Sequence, residues 1–158
     1  MSNETHPVAV VAEELPERPK PNFGPFTARL SGRQKRVLGD VFGLTNFGVN
    51  LTRLPPGAIS ALRHAHTRQD ELVYIIEGEA TLVTDAGETR LRQGMVAGFK
   101  AGTGDAHHLV NRGERDVVFI EVGDRSAGDE VAYPDDDVAA TLGADGKYQY
   151  RHKDGTPY

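Results

Sequence analysis

Three histidines and a glutamate are the residues whose types and spacing most clearly suggest chemistry. His64 and His66 lie two positions apart, Glu71 follows shortly after them, and His107 lies further along the chain. Residues two apart on a β-strand point to the same face, so the first two imidazoles can reach one point. A donor set of imidazoles and one carboxylate suits Zn, Fe, Mn, Ni or Co. The pattern therefore predicts one divalent metal ion per subunit.

Two alternatives stay open for these residues. The histidines can be solvated surface residues, and Asp70 rivals Glu71 as the carboxylate ligand. A buried carboxylate beside imidazoles is costly unless it is paired or metal-bound, which is a second argument for an ion. Because side chains alternate along a strand, only one of His107 and His108 can point inward. We expect His108 to point outward or toward the lip of the site.

The spacing around these residues resembles two motifs of the cupin superfamily. The first motif is matched by Pro56-Gly57 followed by His64-x-His66-x4-Glu71-x6-Gly78. The closing half of the second is matched by Gly104-x2-His107-x3-Asn111. The usual Pro-x-Gly before it is replaced by Lys100-Ala101-Gly102, which lies further from His107 than is common and indicates an insertion in that loop. The resemblance extends over residues 39–124.

This resemblance implies a fold, a ligand set and an activity. Cupins are all-β proteins with a double-stranded β-helix, or jelly-roll, barrel. The family's metal ligands, carried over residue by residue, are His64, His66, Glu71 and His107. Small bacterial cupins that this chain resembles over nearly its whole length are often labelled sugar-phosphate isomerases. The likeness to them includes the ending Lys-Asp-Gly-Thr-Pro-Tyr at residues 153–158.

Three classes of function are compatible with these features. The first is a metal-dependent enzyme, isomerase- or epimerase-like, on a small polar or sugar-like substrate, with the metal as Lewis acid. The second is an iron-dependent dioxygenase. The third is a non-catalytic module that binds a metal or a small molecule. The fold alone does not choose among them, because it supports many chemistries.

Composition excludes other classes. The net charge of −5 argues against binding to a nucleic-acid backbone, which needs a basic surface. The absence of cysteine excludes disulfides and thiolate-ligated metals. No apolar run approaches the length of a membrane helix, and the N-terminal sequence does not resemble a signal peptide. We therefore expect a cytoplasmic protein with no membrane or nucleic-acid partner.

Three segments are predicted along the chain. Residues 1–36 are rich in proline and are expected to form an extended arm. Residues 37–124 read as a β-barrel, with strands over 45–54, 58–66, 71–77, 79–84, 88–92, 95–100, 107–111 and 116–123. Residues 125–158 form a tail in which 126–130 resembles a linker and 147–152 a short edge strand. The aromatic residues of the arm and tail lead us to expect packing on the barrel or a partner, in a homodimer.

Two basic residues are candidate substrate anchors. Arg53 ends the strand before the Pro55-Pro56-Gly57 turn, and Lys100 ends the run before a glycine-rich loop. Either could hold a carboxylate or a phosphate at the mouth of the barrel. Asn50 and Arg68 are further candidates, and ordinary surface charge is the alternative for each. No residue stands out as a general base, so the catalytic residues stay unknown.

Overall fold

The computed structural model describes residues 6–158. Three short 3-10 helices occupy Ala12–Glu14, Gly24–Leu30 and Asp40–Phe42. The strands are β1 (Gln34–Val37), β2 (Phe47–Leu54), β3 (Ala65–His66), β4 (Glu71–Glu77), β5 (Glu79–Thr84), β6 (Gly87–Arg92), β7 (Val96–Phe99), β8 (His108–Val110), β9 (Val117–Asp124), β10 (Glu130–Ala132), β11 (Ala139–Leu142) and β12 (Tyr148–Arg151). Among the described residues, no helix is long and apolar enough to cross a membrane.

One wall of the barrel is a five-stranded antiparallel sheet in the order β1-β2-β9-β4-β7. Alternation decides which side chains enter the barrel, because opposite residues in an antiparallel pair share a face. Val73 and Ile75 of β4 are buried, whereas Leu72 and Tyr74, which alternate with them, are exposed. Glu71 shares the inward face with Val73, so the strand pattern delivers its carboxylate to the interior.

The opposite wall is built from two smaller sheets. One has the order β6-β5-β8, and the other has the order β12-β11-β10-β3. Isolated bridges from Ile59 to Val110 and from His64 to His107 connect them along the segment before β3. The resulting two-walled, antiparallel structure is the jelly-roll barrel that the sequence predicts.

Two apolar clusters stabilise the chain. The barrel core contains Leu54, Ala58, Val73, Ile75, Ala80, Leu82, Leu91, Leu109, Val117 and Phe119. The second cluster joins the N-terminal segment to the tail through Phe23, Leu30, Leu62, Val131, Tyr133, Val138 and Ala140. Each fully buried side chain of this kind contributes about 1.5–3 kcal/mol. The second cluster therefore holds both ends of the chain against the barrel.

Some predicted elements are corrected by the structure. The strand predicted over residues 58–66 is wrong, since only Ala65–His66 is a regular strand and the rest is a looped segment with isolated bridges. The described part of the predicted arm contains two 3-10 helices, and β1 begins inside it, whereas residues 1–5 lie outside the described residues. The predicted edge strand over 147–152 is confirmed as β12 at the edge of its sheet.

Candidate metal centre

Three imidazoles converge on one oxygen of Glu71. Glu71 Oε2 lies 3.1 Å from His107 Nε2 and 3.5 Å from the Nε2 atoms of His64 and His66. This carboxylate oxygen is buried and has no hydrogen-bond partner in the described chain. The ligand atoms of His64, His66 and Glu71 lie within 4.8 Å of one another. His107 is outside that set of three, although its Nε2 is the nearest of the three imidazole nitrogens to Glu71.

Backbone pairing holds two of the histidines side by side. The N–H of His64 donates to the carbonyl of His107 at 3.1 Å, and the reciprocal bond is 2.8 Å long. His66 lies in β3, where it pairs with Val131 of β10. The four side chains therefore come from three separate parts of the barrel: the segment ending in β3, the start of β4 and the approach to β8.

The outer ring nitrogens fix the orientation of two imidazoles. His64 Nδ1 lies 2.9 Å from the carbonyl oxygen of Leu62, and His66 Nδ1 lies 2.5 Å from Asp129 Oδ2. An Nδ1–H donor in each ring leaves Nε2 with its lone pair directed at Glu71, which is the tautomer that a metal ligand needs. Phe99 stacks on the ring of His107 with centroids 3.5 Å apart and planes 2° apart.

Asp129 contacts the cluster, although its segment resembled a linker in the sequence. Its side chain is completely buried. Besides His66, it accepts hydrogen bonds from the backbone N–H of Arg68 at 2.8 Å and from the hydroxyl of Tyr148 at 2.7 Å. The tail thus supplies the carboxylate that contacts the His66 imidazole and the tyrosine that donates a hydrogen bond to this carboxylate. Only the pairing of distant segments reveals this role.

The electrostatics of the cluster favour an ionised glutamate. Burial alone would raise the pKa of Glu71, but its interactions with His107 and His64 outweigh burial and hold the pKa well below its usual range. Burial lowers the pKa of His107 despite the adjacent carboxylate. For His64, burial also acts to lower the pKa, but Glu71 and the Leu62 carbonyl outweigh it and raise the value. An anionic carboxylate among imidazoles is a donor set suited to a divalent cation.

A cavity of about 90 Å³ opens beside the cluster. Its walls include Ser60, Ala61, His64, Glu71, Leu72, Val73, Phe99, His107 and Leu109, together with an ion pair that the sequence analysis did not identify. That pair consists of Lys35 from β1 and Glu121 from β9, with Nζ and Oε2 2.5 Å apart. The histidines therefore border a small chamber with both polar and apolar walls rather than an exposed surface.

The structure separates the rival ligands from the predicted ones. Asp70 Oδ1 accepts the backbone N–H of Ala101 at 2.7 Å, and the residue is exposed. His108 lies outside the cavity lining, and its Nδ1 is 3.0 Å from the carbonyl of Ala61. Asn111 is fully buried and donates to the carbonyls of Leu54 and Arg115, so it closes a turn rather than facing the site.

The two candidate substrate anchors lie in different places. Arg53 pairs with Asp116 at 3.1 Å and with Glu13 at 3.2 Å, and it does not line the cavity. Arg53 therefore lies outside the linings of both concavities that border the cluster. Lys100 lines a second, smaller concavity that also borders His66, Glu71 and His107. It is the anchor that the fold brings close to the cluster.

Comparisons with known proteins agree with this architecture. A family model described as the cupin domain matches residues 50–123. A solved structure of a sugar phosphate isomerase from a cupin superfamily, from Silicibacter pomeroyi, is 38% identical, with a TM-score of 0.87; the match covers 95% of this chain and 96% of that one. A search of curated proteins found no match.

Two more distant structures share the fold. A protein from Acidithiobacillus ferrooxidans, provisionally described as a sugar phosphate isomerase, is 27% identical with a TM-score of 0.70, and the match covers 80% of each chain. The polyketide cyclase RemF from Streptomyces resistomycificus is 19% identical with a TM-score of 0.61, covering 73% of this chain and 78% of that one. At that identity the last similarity concerns the fold alone.

Proposed function

The chain belongs to the cupin superfamily, and we propose that it binds one divalent metal ion and isomerises or epimerises a small sugar-like substrate. The ligands are His64, His66, Glu71 and His107. The observation that carries this proposal is the convergence of three Nε2 atoms on a buried Glu71 oxygen that lacks a hydrogen bond. Such an oxygen is costly unless a cation or a donor satisfies it.

The residues fit a metal ion by chemistry as well as by position. Imidazole and carboxylate together suit Zn, Fe, Mn, Ni or Co, and do not select among them. A bound ion would act as a Lewis acid that polarises a carbonyl oxygen of the substrate. The protein contributes the chamber, the orientation of the imidazoles through Leu62 and Asp129, and the stacking surface of Phe99.

The size of the chamber supports a small substrate. Its volume of about 90 Å³ accommodates only a few heavy atoms beside the cluster, so a larger sugar must extend into the opening. Lys100 borders the neighbouring concavity and is the residue we propose for binding a phosphate or carboxylate there. The names of the two most similar structures described above support a sugar phosphate.

The test combines metal analysis with proton exchange. Protein purified without added metal is expected to contain about one ion per chain by elemental analysis. Metal-loaded protein in D2O should incorporate deuterium into at least one member of a panel of aldoses, ketoses and their phosphates, and chelated protein should not. Metal-dependent exchange is the result that establishes the isomerase class.

Two other outcomes would replace this proposal. Bound iron with oxygen uptake on a catechol-like or diketone substrate, without proton exchange, would identify a dioxygenase. Saturable ligand binding in a thermal-shift screen without any turnover would identify a binding module, since a ligand that binds the native state raises Tm.

We further propose that the protein is a cytoplasmic homodimer with no nucleic-acid or membrane partner. The arm and tail aromatics that suggested a dimer are packed within the same chain, largely in the second apolar cluster. Exposed apolar side chains in the described chain include Leu72, Tyr74 and Val96, which lie on the outer face of β4 and its edge neighbour β7. An uncovered apolar face at a sheet edge favours association with a second copy.

A further inference from the structure

A second pair of opposite charges lies inside the barrel, apart from the metal cluster. Lys35 Nζ and Glu121 Oε2 are 2.5 Å apart, and only 17% and 18% of the two side chains are exposed. Both residues line the cavity that His64, Glu71 and His107 also line. The chamber therefore has an imidazole–carboxylate cluster and a lysine–carboxylate pair facing the same space.

The strand register places the two glutamates close to each other on neighbouring strands. Glu71 of β4 is opposite Gly123 of β9, and Val73 is opposite Glu121. Glu121 is therefore the diagonal neighbour of Glu71 on the inward face, and diagonal neighbours lie about 7–8 Å apart. Gly123 lies opposite Glu71 and carries no side chain, so no side chain of β9 lies directly beside the glutamate.

Structural stability alone does not account for this ion pair. Lys35 is opposite Thr52, which is opposite Phe119, and both of the latter are buried. Apolar side chains at the positions of Lys35 and Glu121 would extend that packing. A buried ion pair gains little over such packing, because desolvation offsets most of the Coulomb attraction. The charges are better explained by contact with a polar ligand.

We propose that Glu121 is the proton-transfer group of the reaction and that Lys35 is its positioning residue. This inference rests on the isomerase function proposed above and assigns the base that the sequence did not identify. Glu71 is committed to the metal cluster, and Glu121 is the other carboxylate among the residues that line the cavity. Lys35 contacts the Glu121 carboxylate and holds it at the wall of the chamber.

The proposed step balances without any further reactant. The Glu121 carboxylate removes the proton from the carbon next to the substrate carbonyl. The C–H electron pair becomes the C=C bond of an enediolate, and the carbonyl π pair moves onto its oxygen, which faces the imidazole cluster. Glu121 then returns the proton to the neighbouring carbon, and the hydroxyl proton passes to the former carbonyl oxygen as the hydroxyl oxygen becomes the new carbonyl. The substrate class is consequently a 2-hydroxy aldehyde or ketone.

Glu121→Gln tests the base, and the rate of deuterium exchange is measured on whichever panel sugar the wild type exchanges. We expect a fall of about 100-fold or more, the range that a general base contributes. Glu121→Asp keeps a carboxylate on a shorter side chain, so its exchange rate should fall less. Lys35→Met should lower kcat more than it changes KM, because it misplaces the base. Glu79→Gln is the matched control, since Glu79 pairs with Arg90 at 3.5 Å on the surface.

A second readout keeps folding and metal binding separate from catalysis. Cobalt(II) titration, followed by visible absorption, should give wild-type stoichiometry and spectrum in Glu121→Gln and in the charge-neutral double variant Lys35→Met/Glu121→Gln. The double variant removes both charges, so it covers the case in which a lone buried charge unfolds the single variant. His64→Ala should alter the cobalt spectrum.

The possible outcomes distinguish a failure of the base assignment from a failure of the proposed isomerase function. If the wild type exchanges no panel sugar in a metal-dependent way, the proposed function fails and the base assignment fails with it. If the wild type exchanges and Glu121→Gln stays within threefold of it, only the base assignment is overturned. A changed cobalt spectrum in the double variant would make Glu121 part of the metal cluster and would also overturn it.

Discussion

The carboxylate of Asp129 lies 2.5 Å from Nδ1 of His66, although the two residues are 63 positions apart in the chain. The contact joins the C-terminal tail to the imidazole–carboxylate cluster of His64, His66, Glu71 and His107. Carboxylates in this position hold a ligating imidazole in one tautomer and orientation. The tail is therefore part of the site, and Tyr148 extends the connection to β12 by donating to the same carboxylate.

Asp129→Asn should weaken metal binding without removing a ligand. Loss of a carboxylate behind a ligating histidine typically costs 10- to 100-fold in metal affinity, and we expect a loss in that range. The measurement is a zinc titration in competition with a chromophoric chelator. Glu130→Gln is the matched control, because Glu130 is adjacent and exposed. Equal affinities in the two variants would show that Asp129 does not orient His66.

Alanine at His64 or His107 should largely abolish stoichiometric metal in protein purified without added metal. Each substitution removes an Nε2 atom that lies 3.5 Å or less from Glu71 Oε2. Elemental analysis gives the metal content directly. His108→Ala is the control, because it removes an imidazole that lies outside the cavity lining and should leave the metal content unchanged. Full metal retention in His64→Ala and His107→Ala would refute the ligand assignment.

Metal affinity should also fall as the pH is lowered through about 6. Ligating imidazoles must be unprotonated, and a free histidine has a pKa near ~6.5, so protons compete with the ion. Zinc titrations at a series of pH values between about 5 and 8 measure this dependence. Affinity that stays constant across the series would argue against histidine ligation.

The sequence predicts those parts of the fold in which one strand face is buried and the other is exposed. β4 and β5 have the predicted bounds, because alternation and flanking turns define both ends. The strand prediction for residues 58–66 is wrong because these residues alternate between apolar and polar but have no regular partner strand. Only Ala65–His66 pairs as a strand. Local pattern cannot show whether a neighbouring strand is present.

The sequence likewise predicts only part of the candidate site. His64, His66 and Glu71 are close in sequence, and a motif reveals them. Asp129 and the Lys35–Glu121 pair are brought in by strand register between distant segments, which no local spacing encodes. Arg53 looks like an anchor at the end of its strand, but Asp116 and Glu13 neutralise it.

Acid should destabilise the metal-free protein partly through Asp129. Burial alone would raise the pKa of Asp129, but hydrogen bonds from His66, Tyr148 and the Arg68 N–H outweigh it and lower the pKa. A depressed folded-state pKa gives stability that is present above the unfolded value of about 3.9 and is lost as the pH falls through the folded value. Urea unfolding with chelator at pH 2–6 should therefore show a steeper acid loss in wild type than in Asp129→Asn. Parallel curves would contradict this origin.

The proposed homodimer should depend on the outer face of β4 and β7 rather than on the N-terminal arm. Tyr74 and Val96 are opposite each other in the register and are exposed by 45% and 57%. Tyr74→Lys places a charge in the middle of that face, where burial against a second copy would leave it desolvated and unpaired. Light scattering at micromolar concentration should return twice the 17.2 kDa chain mass for wild type and a single chain mass for Tyr74→Lys.

Val8→Lys makes the same change at a fully exposed position of the arm and should leave the dimer intact. A wild-type mass near 17.2 kDa would exclude the dimer, and dissociation by Val8→Lys alone would move the interface to the arm.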